Sequence, residues 1–398
     1  MSAAGAFSPF RHTAFSLLWV AMLLANIGGW MHDLAAGWLM TTLVPEPAWV
    51  AMVQAATTLP VCLLSIPAGT LADRFDRRKL LILARTIMVA VTLVLFAVVL
   101  AGKATPLFLL GMTFLMGVGT AVTSPAWQAV LPALVPRVEL PPAVALHAVG
   151  MNIARAIGPA LGGVLIIAAG IAWPFLFNAV SAIAILAALA WWKPPAAPVV
   201  NHEPFFTAMM ASFTHVGQNL ALRNALLRSV LFYVFGSCYW ALLPLVAHDL
   251  LQGTARLYGL LVGAIGVGAV SGALILPPLR KRLGLGGTVV AGTLGTALAM
   301  TGYALLREPA LGLLASLLAG ISWLATLSSL NVAAQLAVPD TMRARGMALY
   351  TAVFYGCLAL GSLGWGQVAT HIGLVPTLLV ASAGAVLALL PAQKLRLH

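Results

Sequence analysis

The chain has 398 residues, of which 62% are hydrophobic and only 8% charged, with a formal net charge of +12. Soluble domains carry roughly 45–50% apolar and about 25% charged residues, so this composition excludes a water-soluble globular fold and points to a polytopic membrane protein. The three cysteines, Cys62, Cys238 and Cys357, lie inside apolar runs away from other metal-ligating side chains. Neither a disulfide framework nor a metal site is expected, and the excess of basic residues is read as loop charge that sets topology rather than as a nucleic-acid surface.

A membrane helix needs roughly 20 apolar residues to cross about 30 Å of hydrocarbon. Apolar runs between charged or Pro/Gly breaks predict twelve spans, at 14–42, 48–72, 79–101, 106–130, 142–168, 171–192, 225–250, 256–279, 286–306, 309–335, 342–369 and 373–391. The runs lack the period-2 alternation of a barrel strand, so helices are predicted throughout. Sixteen Lys and Arg residues fall on the face that carries both termini and only Lys103, Arg256 and Arg307 on the other. That bias predicts cytoplasmic termini. Residues 193–224 read as a cytoplasmic linker with a short interfacial helix near Phe205–Leu220, between bundles at 1–192 and 225–398.

The two halves align at one ungapped offset of 203: Gly69, Arg77 and Arg78 fall on Gly272, Arg280 and Lys281, Gly117 on Gly320, Gly158 on Gly361 and Gly163 on Gly366. The chain therefore reads as a duplicated six-helix unit, a parallel repeat of the kind found in alternating-access carriers.

Between spans 2 and 3 stands Gly69-Thr-Leu-Ala-Asp73-Arg74-Phe-Asp76-Arg77-Arg78-Lys79, the densest charge in the chain. A carboxylate at Asp73 is suited to meet the positive N-terminal end of another helix, and the repeat makes the start of span 11, after Asp340 and beside Arg343 and Arg345, its natural partner. Such a latch would hold the cytoplasmic side closed, whereas the bland alternative is a loop anchored to headgroups. In the second half Leu276-Pro277 replaces the Asp-Arg pair, so the latch is expected to be one-sided. Span 5 carries Gly158, Pro159, Gly162 and Gly163, and span 8 carries Gly259, Gly263, Gly266 and Gly272. Small residues at this spacing predict two helices packed closely across a seam, with Pro159 bending the first.

Charges within spans are expensive and face cavities or partners. Arg85 is close enough to its helix end to snorkel. Asp33 and Arg155 lie deeper, and His32 points about 100° away from Asp33 around the same helix. Asn26, Trp30, Asp33 and Gly37 recur at helical spacing and form one polar and aromatic stripe.

Gly69-x3-Asp73-Arg74-x2-Arg77-Arg78 resembles the signature loop of the major facilitator superfamily, and Gly158-Pro159-x2-Gly162-Gly163 resembles the helix-5 motif of its antiporters. Asn26-Ile-Gly-Gly-Trp30-Met, Leu63-Leu-Ser-Ile-Pro67-Ala-Gly69 and Asn152-Ile-Ala-Arg155-Ala-Ile-Gly158-Pro159 look like the efflux branch that includes the enterobactin exporters. The sequence departs from the wider pattern at Asp76, where Gly is usual, and at His32-Asp33. The resemblance implies an all-α fold of twelve transmembrane helices in two six-helix repeats, working as a monomer without cofactor. It makes spans 1 and 5 neighbours, so that Asp33 and Arg155 become a candidate pair, either a static buried ion pair or a proton switch in which protonating Asp33 frees Arg155 for an anionic substrate, with His32 as a second titratable group. It also lines a central cavity with spans 1, 4, 7 and 10. The implied lining is Asn26, Trp30, Thr120, Thr123, Ser124, Tyr233, Ser237, Trp240, Trp323, Thr326 and Asn331, with Gln54, Thr57 and Asn152 beside them. An aromatic, weakly polar cavity suits an amphipathic organic molecule. The implied activity is proton-coupled export of drugs or a siderophore. Uptake, lysolipid movement and a non-transporting membrane sensor remain as alternatives, whereas an enzyme is not expected, because no phosphate loop or nucleophile elbow is present.

Overall fold

The structure is a computed structural model that describes residues 5–74, 76–192, 219–339, 343–395 and 397, with backbone alone at 66, 69–74, 129 and 343–345. Its helices are α1 (Thr13–Leu43), α2 (Pro47–Arg74), α3 (Arg77–Leu100), α4 (Pro106–Val130), α5 (Leu140–Ala169), α6 (Trp173–Trp191), α7 (Leu220–Leu245), α8 (Ala255–Leu305), α9 (Pro309–Ala337), α10 (Arg343–Ile372), α11 (Leu374–Leu387) and the short α12 (Leu389–Ala392). No strand occurs among the described residues. Eleven helices there are long and apolar enough to cross a membrane. α8 has 51 residues. As a single rod it would measure about 77 Å, more than twice the hydrocarbon thickness. Gly284, at φ 67° and ψ 179°, interrupts it, leaving arms at 255–283 and 285–305. The predicted spans 8 and 9 are these two arms. The predicted interfacial helix falls almost wholly outside the described residues, and α7 begins at Leu220, inside the expected linker.

Local chemistry explains the helix ends. Asp76 is the N-cap of α3, its carboxylate accepting from the backbone N–H of Arg78 at 2.9 Å and of Lys79 at 3.1 Å. Asn219 caps α7 by accepting from Leu222 N at 3.0 Å, and its amide donates to the carbonyl of Ala337 at 2.7 Å, tying the start of α7 to the end of α9. Arg78 closes the C-terminal end of α6, donating from Nε to Leu189 O at 2.7 Å and from Nη2 to Ala190 O at 2.5 Å. Arg228 does the same for α12, with Nε and Nη2 donating to Ala392 O at 3.0 and 2.7 Å. A cation at a helix C-terminus meets unpaired carbonyls and the negative end of the helix dipole.

α1 to α6 pack mainly on one another, as do α7 to α12, and the halves meet along two seams, α5 against the first arm of α8 and α2 against α10. The repeat is visible in the glycines. A Cβ on Gly158 would lie 3.1 Å from the carbonyl oxygen of Ile27 in α1, and one on Gly361 would lie 3.1 Å from that of Val234 in α7. A Cβ on Gly163 would lie 2.6 Å from Ala255 O in α8, and one on Gly366 would lie 3.2 Å from Ala48 Cα in α2. Each half thus uses one glycine to seat its own first helix and another to touch the opposite half. Gly170 (φ 109°) and Gly373 (φ 88°), also 203 residues apart, end α5 and α10 in the left-handed conformation that favours glycine.

The α5 glycines therefore serve two faces. Gly158 and Gly162 receive α1, whereas Pro159 and Gly163 meet Gly259 and Ala255 across the seam. The seam is tight at the end of the molecule away from the termini. There Ala48 N donates to Thr370 Oγ1 at 3.2 Å. Trp38 of α1 stacks on Tyr258 of α8, with centroids 6.1 Å apart, and meets edge-on His248 of the π-helical turn Val246–Leu250 at 5.7 Å. Close contact continues to Gly266 beside Arg155 and to Gly356 beside Cys62. Toward the basic end the same stripes emerge: Val149 is 50%, Val270 41% and Leu274 79% exposed. The halves are clamped at the far end, and the α5–α8 seam loosens toward the basic end.

Overpacking a close backbone contact costs about 1–3 kcal/mol. Gly163→Leu is expected to lower the melting temperature in detergent by that equivalent, while Gly111→Leu, with no atom within 4 Å of its added Cβ, leaves it unchanged. Equal melting temperatures would remove the seam from the account. Arg78→Ala is expected to destabilise by about 1.5 kcal/mol through loss of charge-assisted hydrogen bonds. Lys79→Ala, at an exposed position, serves as the matched loss of one charge, and similar melting shifts in both would contradict the capping role.

Candidate functional site

α1 divides its side chains among three surroundings. Ile27 and Met31 are buried against α5. Gly28 and His32 face α6: a Cβ on Gly28 would lie 2.9 Å from Asn178 Cα, and the His32 ring stands edge-on to Phe175 at 4.9 Å. His32 is 1% exposed and neither ring nitrogen has a hydrogen-bond partner. The 100° step therefore separates it from Asp33, as the helical geometry predicts. The third stripe, Asn26, Trp30, Asp33 and Gly37, turns toward the other half, where Gly37 is buried against Tyr258 and Pro244. Asp33 is exposed there. It lies in electrostatic reach of Tyr258, and its carboxylate forms no hydrogen bond or ion pair among the described residues.

Arg155 of α5 does not pair with Asp33 in this conformation. The register of α1 on α5 sets Gly158 beside Ile27 and Trp30 and Gly162 beside Met31 and Leu34. That places Asp33 about 10 Å beyond Arg155 along the helix axis, at 1.5 Å per residue. The guanidinium instead lies over the Trp30 ring, 5.5 Å from its centroid. Such a cation–π contact is worth about 0.5–2 kcal/mol. Arg155 Nε is buried without a partner, and the hydroxyls of Tyr239 and Tyr355 lie in electrostatic range.

The remaining cavity candidates separate by half. From the N-terminal half, Thr120 and Ser124 are exposed and Asn26, Gln54, Thr57 and Asn152 half-buried. The Asn26 amide donates to Met151 Sδ at 3.0 Å and that of Asn152 to Ala148 O at 2.9 Å. Thr123 turns inward, 4% exposed, and bonds back to Gly119 O at 2.9 Å. In the C-terminal half, Trp240 and Asn331 are half-buried, the Asn331 side chain accepting from Gln335 Nε2 at 2.5 Å. Tyr233, Ser237 and Thr326 are fully enclosed and Trp323 is 5% exposed. Tyr233 shares a 3.0 Å hydrogen bond with Tyr350, Ser237 abuts Gly361 of α10, and Thr326 abuts Gly292 in the second arm of α8. These four pack within their own half instead of lining the open space. Glycines on the facing helices draw those helices against them.

In the signature loop, Asp76 and Arg78 are helix caps. The side chains of Gly69, Asp73 and Arg74, and the start of α10 that Asp73 was expected to meet, lie outside the described residues; Arg77 is exposed. Sequence reasoning passed over Tyr239 and Tyr355, and the Trp38, His248 and Tyr258 bracket. The available signal was the rarity of tyrosine, with six in the chain, within otherwise apolar spans.

A major facilitator family model described as transmembrane secretion effector matches residues 4–398. The staphyloferrin A transporter of Staphylococcus aureus is 26% identical over 265 residues, an alignment that covers 66% of each chain. The enterobactin exporter EntS of Salmonella typhimurium is 30% identical over 306 residues, covering 74% of this chain and 72% of that one. Among solved structures, the nucleoside transporter NupG superposes with a TM-score of 0.79 at 15% identity, covering 96% of this chain and 99% of that one. A peptide transporter of the POT type gives a TM-score of 0.79 at 12% identity, covering 96% and 94%. These two establish the fold alone. With the family model spanning nearly the whole chain, the protein belongs to the major facilitator superfamily, within its transmembrane secretion effector family, and is a multi-pass membrane transporter and not an enzyme.

Proposed function

We propose that this chain is a proton-coupled exporter of amphipathic organic molecules, drugs or a siderophore-like metabolite, working as a monomer by alternating access in a bacterial cytoplasmic membrane. The carrying observation is Asp33, exposed and unpaired on the stripe of α1 that faces the other half, beside an α5–α8 seam that loosens toward the basic end. Asp33 is the one acidic residue in the interior of a span. The excess of Lys and Arg at the same end supports a cytoplasmic side for it. An opening there admits cargo from the cell interior, and relatives named for staphyloferrin A and enterobactin support a siderophore-like cargo.

The cycle follows from the two seams. Bundles 1–192 and 225–398, joined by 193–224, rock about the glycine contacts, so that the Trp38 bracket opens as the cytoplasmic side closes. On that side the carboxylate of Asp73 receives the positive N-terminal end of α10 and holds the outward-open form. Asp33 is reachable from each side in turn, takes a proton from outside and releases it inside, and so links proton entry to cargo exit.

Asp33→Asn in reconstituted vesicles is expected to reduce gradient-driven transport at least tenfold while cargo exchange without a gradient persists. Full proton-driven transport by Asp33→Asn would refute coupling through this residue. The cargo panel is siderophores, dyes and lysolipids, and transport of lysolipid alone would replace the export reading with a lipid one.

A further inference from the structure

Arg155 is a cation near the middle of a span with no carboxylate beside it. Asp33, the acidic residue in the interior of a span, lies too far along α1 to pair with it. A charge in this setting is retained where something else compensates it during function. The Trp30 ring supplies part of that compensation. The rest is left open, because Arg155 Nε has no acceptor.

The groups gathered around it from the other half are donors as well. Tyr239 of α7 is 0% exposed and its hydroxyl has no hydrogen-bond partner. Trp240 Nε1 is likewise unpartnered, lying near the Tyr239 hydroxyl without the geometry of a hydrogen bond. Tyr355 of α10 faces Arg155, and its hydroxyl makes no hydrogen bond among the described residues. Its ring is edge-on to Phe354 at 4.9 Å, and the Tyr239 and Trp240 rings lie 5.4 Å apart at 31°. Trp240 and Tyr355 are half-buried, whereas Tyr239 is enclosed. Buried polar groups are ordinarily satisfied, so donors from α5 and α7 left without an acceptor, beside the Tyr355 hydroxyl, mark a place for one.

We propose that Arg155, Tyr239, Trp240 and Tyr355, with Trp30, form a recognition site for an aromatic anion, a flat apolar group bearing a carboxylate or phenolate oxygen. The anion receives the guanidinium and the tyrosine hydroxyl, and the ring lies among the Trp and Tyr faces. Because Trp30 and Arg155 belong to the N-terminal half and Tyr239, Trp240 and Tyr355 to the other, the anion bridges the two bundles. The inference rests on the reading of the interior as the cargo path and narrows the cargo to its chemical class.

The test is equilibrium binding to the purified full chain in detergent, read by tryptophan fluorescence, with 2-naphthoate, neutral 2-naphthamide and cyclohexanecarboxylate as probes. Naphthoate is expected to bind at least tenfold more tightly than either of the others. Tyr239→Phe is expected to weaken naphthoate about tenfold, the loss of one hydrogen bond to a charged group. Because the hydroxyl it removes is unpartnered without ligand, the melting temperature of the free protein is expected to stay unchanged or rise. Arg155→Gln is expected to abolish the preference for naphthoate over naphthamide. Equal binding of naphthoate and naphthamide by the unaltered protein, or undiminished naphthoate affinity in Tyr239→Phe, would overturn the site. Binding with these dependences in a protein that fails the vesicle assay would leave the site standing and remove the export reading instead.

Discussion

Backbone-to-backbone approach at glycine is the constraint on which the arrangement depends. In lipid, two apolar helices gain little from leaving one solvent for another, so association rests on van der Waals contact at short range and on the few polar groups that find partners. Where Gly163 meets Ala255 O and Gly259 meets Pro159 O, an added Cβ would fall at 2.6 and 2.5 Å. No other residue type permits that separation. The same device at Gly366 and Ala48 makes the second seam, and the α5–α8 seam loosens toward the basic end. Two halves held this way share a fulcrum instead of a broad glued face, which is the mechanical requirement for opening at either end.

The duplication is geometrical more than chemical. The glycines that seat helices recur at the offset of 203, but the polar residues do not. Helices α1, α2, α4 and α5 bring amides, hydroxyls, Asp33 and Arg155 to the interior. The second half brings Tyr239, Trp240 and Tyr355 backed by a cluster of buried Tyr233 and Trp323 with half-buried Phe354, whose rings lie 4.8–6.4 Å apart. Charge in one half faces aromatic surface in the other. A molecule that is both ionic and flat meets complementary groups only when it contacts both.

Much of the architecture was legible because it is written in features with single physical meanings. Apolar length marks spans, basic residues mark one face, and glycine at helical spacing marks close approach. What was not legible concerns rotation and register. Ser237 and Thr326 carry the right chemistry for a cavity, yet Gly361 and Gly292 on neighbouring helices decide that they are covered. The Asp33–Arg155 pairing required the register of α1 on α5, which depends on which glycine receives which turn. The gap at Gly284 within α8 was readable only as a charge break, not as a left-handed residue. Arg78 shows the converse error of emphasis: its charge reads as topology, but its position makes it the cap of α6. The part of the signature loop that carries Asp73 lies outside the described residues, so its proposed role rests on sequence and repeat alone.

Seams that act as a fulcrum require the two ends of the molecule to open in opposition. Spin labels at Val149 and Leu274 report the basic end, and labels at Glu46 and Gln252 report the far end, each pair spanning the halves. Double electron–electron resonance on both pairs in vesicles, with and without a proton gradient, is the direct measurement. A long basic-end distance and a short far-end distance are expected at rest. Under the gradient a population is expected in which the first shortens as the second lengthens. Distances that change in the same direction, or that stay fixed during turnover, would contradict the fulcrum.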